Sequence, residues 1–191
     1  MFAELLRERL AGIVDLSSGQ VAVLEAHYER MVRWNRSLNL TSISGLEEIV
    51  ERHYCESLFL GQWLEGSGQR VADIGSGPGF PGFPVAVLRA DCSVTLIESH
   101  QRKAVFLKEA SRGIANIRVL AKRAEEVTES FDWAISRAVS YRDLGGNLGR
   151  LARNAMLLTG VEAPPAELGF SWRPPIALPW GTGRFLRMTQ A

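Results

Sequence analysis

The 191-residue chain, 46% hydrophobic and 23% charged, has the composition of an ordinary globular protein and the length for one full domain with a small appendage. No apolar run approaches the roughly 18 residues of a membrane span, and two cysteines, Cys55 and Cys92, are too few for a disulfide framework or a metal set. A net charge of +1 leaves any nucleic-acid partner to be met by local clusters of Lys and Arg.

In chain order, the segment from Met1 to Arg9 alternates charges where a secretory leader is apolar, and with the cysteine usage this points to the cytosol. The first 65 or so residues read as helices. Ser17 and Gln20 have the spacing of a capping box, with Leu16 and Val21 placed as a hydrophobic staple. Val21, Leu24, Tyr28 and Met31 continue at helical spacing and predict a buried face, with Arg30, Arg33 and Arg36 on the other side. Ser44 with Glu47 predicts a second cap, opening a helix that runs to about Leu64.

Gly66-Ser67-Gly68 breaks this pattern, and the period changes. Strands are expected over 70–74, 93–97, 117–120, 131–136, 155–159 and 184–189, with helices over 81–89 and 99–111. That alternation predicts an α/β fold with a mostly parallel sheet and right-handed crossovers. Residues 1–65 then form an N-terminal helical extension, and 66–191 the α/β domain. Pro164-Pro165 and Pro174-Pro175 mark a loop-rich stretch before the last strand.

After the first strand comes Asp73-Ile74-Gly75-Ser76-Gly77-Pro78-Gly79-Phe80. A glycine-rich turn at this point of a parallel sheet lies where such folds bind ligands. Gly75, Gly77 and Gly79 let backbone amides and a helix N-terminus approach a ligand, and Asp73 is expected to aim a carboxylate into the same space. Residues 77–82 also satisfy the dinucleotide pattern G-x-G-x-x-G. Against a nicotinamide or flavin stand the late first glycine, two stiffening prolines and the charge of Asp73 beside a pyrophosphate. S-adenosylmethionine has no phosphate and carries a sulfonium and an ammonium, so a carboxylate there is an asset. Glu98, ending the second strand, is placed to accept from ribose hydroxyls, while Ala124 and Glu125 follow the third strand, where residues lining an adenine stand. Glu125 reads equally as a helix-start acid. The pattern is that of a Rossmann-like class I S-adenosylmethionine-dependent methyltransferase.

Methyl transfer is an in-line displacement governed by positioning. The end of the fourth strand reads Ser136-Arg137-Ala138-Val139, with none of the prolines of the amine-methylating turn, and neither cysteine stands where a pyrimidine C5 methyltransferase needs its nucleophile. An acceptor with a free lone pair and no proton to lose fits, and guanine N7 is one, its O6 neighbour being a partner for an arginine. Arg137 is the candidate catalytic residue, able to face the cofactor or the base.

Trp34-Asn35, Asn39-Leu40-Thr41, Arg52-His53, Glu56-Ser57, the proline-bearing glycine loop and Ile135-Ser136-Arg137-Ala138 together resemble the RsmG, or GidB, family of bacterial 16S ribosomal RNA guanine-N7 methyltransferases, over roughly residues 20 to 160. The resemblance implies cofactor contacts at Gly75, Phe80, Ala124, Glu125 and Arg137. It also implies a monomeric cytoplasmic enzyme acting on 16S rRNA in the small ribosomal subunit or its precursor, without metal or membrane. Arg33, Arg36 and Arg52 are the candidate RNA-binding residues, a solvated helix face being the other reading of Arg33 and Arg36. His53 reads as a packed, hydrogen-bonded histidine. Thr159-Gly160 departs from the family's Lys-Gly, and the segment after Gly160 looks short, which puts RNA affinity in question more than cofactor binding. A methyltransferase with a changed acceptor, or a non-catalytic rRNA-binding or assembly protein that keeps the fold, are the alternatives.

Overall fold

The computed structural model describes residues 1–190. Helices α1 (Phe2–Leu10) and α2 (Ser18–Leu38) come first; α3 (Leu46–Ile49) then runs through a π-helical turn, Val50–Cys55, into α4 (Glu56–Gln62). The alternating part follows: β1 (Arg70–Ile74), α5 (Gly82–Leu88), β2 (Ser93–Ile97), α6 (Gln101–Ala110), β3 (Ile117–Leu120), β4 (Phe131–Arg137), α7 (Tyr141–Leu151) and β5 (Ala152–Thr159). A hairpin of β6 (Ile176–Ala177) and β7 (Phe185–Met188) ends it.

The seven strands lie in the order β3-β2-β1-β4-β5-β7-β6. The five from β3 to β5 are mutually parallel, and β7 and β6 join antiparallel at the far edge. Strand order reverses between β1 and β4, so their carboxyl ends open the crevice where a ligand sits in such sheets. Side chains alternate across the sheet. Val71, Trp133, Ile135 and Met156 face the core shared with α1, α2, α4, α5 and α6, while Ala72, Ala134, Ala155 and Leu157 face α7. Phe2, Leu6, Leu24 and Met31 enter that first core, so the helices of residues 1–65 lie on one face of the sheet and share its interior.

The capping box on α2 forms as expected: Gln20 N donates to Ser17 Oγ (3.2 Å) and Ser17 N to Gln20 Oε1 (2.9 Å). The predicted apolar face is buried at Val21, Leu24 and Met31, but Tyr28 is only half-buried and His27 fills the interior beside it. The Ser44–Glu47 cap does not form. Ser44 lies one residue before the cap, and Gly45 takes the cap position, accepting from Ile49 N (2.8 Å). The helix predicted from Ser99 starts at Gln101, because Glu98 draws His100 N back to the strand end (2.7 Å). Helix α7 was not expected, although Leu144, Leu148 and Leu151 are spaced as one buried face. Gly145, Gly146 and Gly149 mask it, and Gly145 departs from helical geometry. No helix among the described residues is long and apolar enough to cross a membrane.

Candidate functional site

The turn after β1 is closed on itself. Gly75 N and Ser76 N both donate to Ile97 O (3.0 and 3.1 Å), and Gly79 N and Phe80 N both donate to Ser76 O (2.8 and 2.9 Å). Gly77 N donates to Glu98 Oε2 (2.8 Å) and Gly82 N to Asp73 Oδ2 (2.9 Å), while Pro78 and Pro81 have no N–H. Every N–H from Gly75 to Gly82 is therefore engaged within the protein. The expectation that these amides reach toward a ligand is corrected by their bonding. A pyrophosphate held by this turn would need free amides, so the dinucleotide reading falls on geometry.

Two other expectations change. Asp73 does not face the crevice: it is wholly buried beneath the turn, and burial pushes its carboxyl up to about 7 against the opposing bond from Gly82. Gly79 makes room for the interior, since a Cβ there would stand 3.1 Å from Phe83 Cβ and 3.3 Å from His27 Nε2. Gly75 is where the crevice needs a glycine. Its φ is +72°, and a Cβ would come within 2.6 Å of Val139.

On either side of Gly75 and Val139 lie two hollows. The larger, about 610 Å³, is walled by residues 39–43 and by Arg52, His53, Glu56, Gly77, Phe80, Lys103, Arg137, Thr159 and Arg184. The smaller, about 300 Å³, is walled by Ile97, Ser99, Lys122, Ala124, Glu125 and Asp143 among others. Glu98 lines neither hollow and is 8% exposed; it is bonded to Gly77, which lines the larger, with one amide bond on each carboxylate oxygen and a further lone pair free on each. Glu125 Oε1 accepts from Asn147 on α7 (3.0 Å), which ties the wall of the smaller hollow to that helix.

Arg137 projects from the end of β4 into the larger cleft, followed by Ala138 at φ +58°, a left-handed conformation that β4 needs to leave the sheet there. Its guanidinium donates to Arg52 O and to His53 Nδ1 (2.6 Å) and lies 5.5 Å from the centre of the Phe80 ring. Burial lowers it to about 10, with Glu56 opposing, so it stays charged at neutral pH. Phe80, only 2% exposed, is the floor beneath His53, the rings 4.4 Å apart and nearly parallel. The π turn that carries Arg52 and His53 widens the helix where the guanidinium docks, as such turns do at functional sites.

Of the RNA candidates, Arg52 lines the cleft and pairs with Glu48 (2.8 Å), while Arg33 and Arg36 are exposed on α2 and do not line it. Thr159 lines the cleft as well, and Arg187 on β7 approaches its Oγ1 (3.4 Å), so a cation stands beside the position where the resemblance gives lysine.

Several residues of the site escaped the sequence. His27, fully buried, donates from Nε2 to Pro78 O (3.0 Å) and accepts at Nδ1 from Tyr54 Oη (2.8 Å), pinning the turn from below. Burial holds it down to about 3, so it is neutral. Arg184 lines the cleft paired with Glu56, which is buried and raised by that burial to about 6. A mid-helix histidine and an arginine beyond a loop give no local sign of these partners.

The family model described as "GidB: rRNA small subunit methyltransferase G" matches residues 20–147. A protein named ribosomal RNA small subunit methyltransferase G from Nitrosococcus oceani is 40% identical over 129 residues, 65% of this chain and 59% of that protein. The protein of the same name from Xanthomonas campestris pv. campestris is 37% identical over 169 residues, 83% of this chain and 79% of that one. The chain thus spans about three-fifths of the length of the first of these relatives. Among solved structures, a SAM-dependent methyltransferase from Aquifex aeolicus matches 75% of this chain and 93% of its own with a TM-score of 0.56. At 15% identity, that likeness is one of fold: a Rossmann-like class I sheet.

Proposed function

Because this chain belongs to the GidB family, the family of rRNA small subunit methyltransferase G, we propose that it transfers a methyl group from S-adenosylmethionine to N7 of a guanine in 16S ribosomal RNA. The observation that carries the acceptor is the lining of the larger cleft. Both ring nitrogens of His53 are engaged, Glu56 is buried against Arg184, and the remaining ionisable groups there are Lys103 and the arginines. Such a lining supplies positive charge and donors but no free base, which suits an acceptor atom with no proton to lose. Guanine N7 is one, and O6 beside it is an acceptor for Arg137.

The turn suits the cofactor for the same kind of reason. With no free N–H between Gly75 and Gly82 it offers nothing to a phosphate, and S-adenosylmethionine has none. When bound, it supplies a methyl group on a positive sulfur. Glu98 would hold the ribose hydroxyls with its free lone pairs, and Ala124 and Glu125 would flank the adenine in the smaller hollow. Gly75 and Gly77 would leave space for the amino-acid end, over the floor made by Phe80. Asp73 would act from beneath, by fixing the turn through Gly82.

We assign residues 1–65 as the helical extension that walls the acceptor side, and 66–191 as the cofactor-binding domain. Arg33, Arg36 and Arg52 are assigned to RNA phosphates, in a monomeric cytoplasmic enzyme whose substrate is the small ribosomal subunit or its precursor. The test is transfer of labelled methyl to small subunits from a strain lacking this gene, with the modified base then mapped. Label is expected on a 16S guanine, and label in no RNA fraction would overturn the proposal. S-adenosylmethionine, and not NAD, should raise the melting temperature.

A further inference from the structure

Resting on that reading, we propose that His53 is a positioning residue that holds Arg137 for the incoming base, and that Thr41, itself held by Asn35, holds His53 in place by accepting its Nε2 proton. An arginine only donates, so the bond of 2.6 Å from Arg137 requires an unprotonated Nδ1 on His53. The single proton of the neutral ring is then on Nε2, where it is donated to Thr41 Oγ1 at 2.9 Å. Burial, with Arg137 and Arg52 adding to it, drives His53 down to about 2, so no second proton arrives near neutrality. The opposite tautomer would set an N–H against the guanidinium.

Thr41 is itself held. Asn35 grips its backbone on both sides, donating to Thr41 O (3.0 Å) and accepting from Thr41 N (2.9 Å), after α2 ends on Asn39 at φ +48°. Thr41 Oγ1 accepts a second bond, from Ile43 N (3.2 Å). Both its lone pairs are then engaged, and its own proton must turn away from these donors, on a residue that lines the cleft. The relay runs from α2 to the tip of β4 through side chains that the chain supplies from four separate places. Its outcome is a guanidinium with two directions fixed, to His53 and to Arg52 O, and three of its five N–H groups free.

Two substitutions at His53 separate the links, because each amide overlays one ring nitrogen. His53→Asn keeps an acceptor where Nδ1 was, and His53→Gln keeps only a donor where Nε2 was. On small subunits from a strain lacking the gene, His53→Gln should lower kcat about tenfold or more, the scale of a lost bond to a charged group. His53→Asn should stay within about threefold, and S-adenosylmethionine affinity, measured by calorimetry, should change little in either. Thr41→Val should lower kcat, and Thr41→Ser should restore it. Nitrogen-15 NMR of the imidazole, which needs no activity, should show the Nε2–H tautomer unchanged between about pH 5 and 8. An imidazolium or an Nδ1–H tautomer in that window would overturn the relay, as would equal kcat values for the two His53 variants in an active enzyme. Absence of methyl transfer by the unmodified protein would instead count against the methyltransferase reading, and the NMR result would still decide the relay.

Discussion

The turn after β1 and the tip of β4 lie side by side across the sheet's switch point, and they are built on opposite plans. In the turn, every backbone N–H from Gly75 to Gly82 has a partner inside the protein, and its one acidic side chain is buried beneath it. At the tip, one charged side chain lines the cleft, and most of its donors are left open. Backbone bonds fix a shape, which a ligand must match. An open guanidinium offers directed charge, which a ligand can use. The first plan suits a cofactor that always has the same form. The second suits a base that arrives as part of a much larger partner.

That contrast can be broken or sharpened by mutation, beginning with the buried acid. Burial raises Asp73 from 3.8 to about 7, so the folded state favours its neutral form. The associated stability is full below pH 3.8, erodes as pH rises, and is gone above about 7. Asp73→Asn removes this titration, so its stability relative to the parent should grow by an amount on the order of 4 kcal/mol across that window. Thermal unfolding from acid to neutral pH reads it, and a constant difference would show that the turn is not dry beneath.

Gly82→Ala attacks the same plan sterically. Its Cβ would meet Asp73 Oδ2 at 2.6 Å and also the Leu96 side chain, for a cost of about 3 kcal/mol seen in denaturant unfolding. Arg137→Ala attacks the other plan: turnover should fall about 100-fold, with stability much less affected, and near-normal activity would remove Arg137 from the chemistry. The smallest effect is expected from Arg33→Ala with Arg36→Ala. These side chains are exposed and outside the cleft, so KM for the ribosomal particle should rise severalfold and its salt dependence soften while kcat holds. Unchanged KM would return both to an ordinary solvated face.

Local patterns were legible in the sequence where their causes are local. The Ser17–Gln20 box, the strand–glycine–helix unit and the acid at the end of β2 could each be read within a few residues. Helix α7 was present in the spacing of Leu144, Leu148 and Leu151, with Ser140 accepting from Asp143 N, but its glycines hid it. What stayed out of reach depends on distant partners. His27 meets Pro78, His53 meets Arg137 and Glu56 meets Arg184, and no window of sequence spans those pairs. Asp73 was misread for a related reason: a carboxylate beside a ligand turn implies outward charge, and only the packed structure shows it turned inward.

The closed bonding of the turn also bears on how the protein moves. Glycine-rich connections ordinarily exchange their amide hydrogens with solvent as fast as frayed ends do. From Gly75 to Gly82 each amide is bonded, Ser76 and Phe80 are nearly inaccessible, and His27 braces the carbonyl of Pro78 from below. Deuterium should therefore enter this stretch about as slowly as it enters β1 itself. A ligand arriving there meets a mould already set, and little of its binding energy goes into ordering the protein.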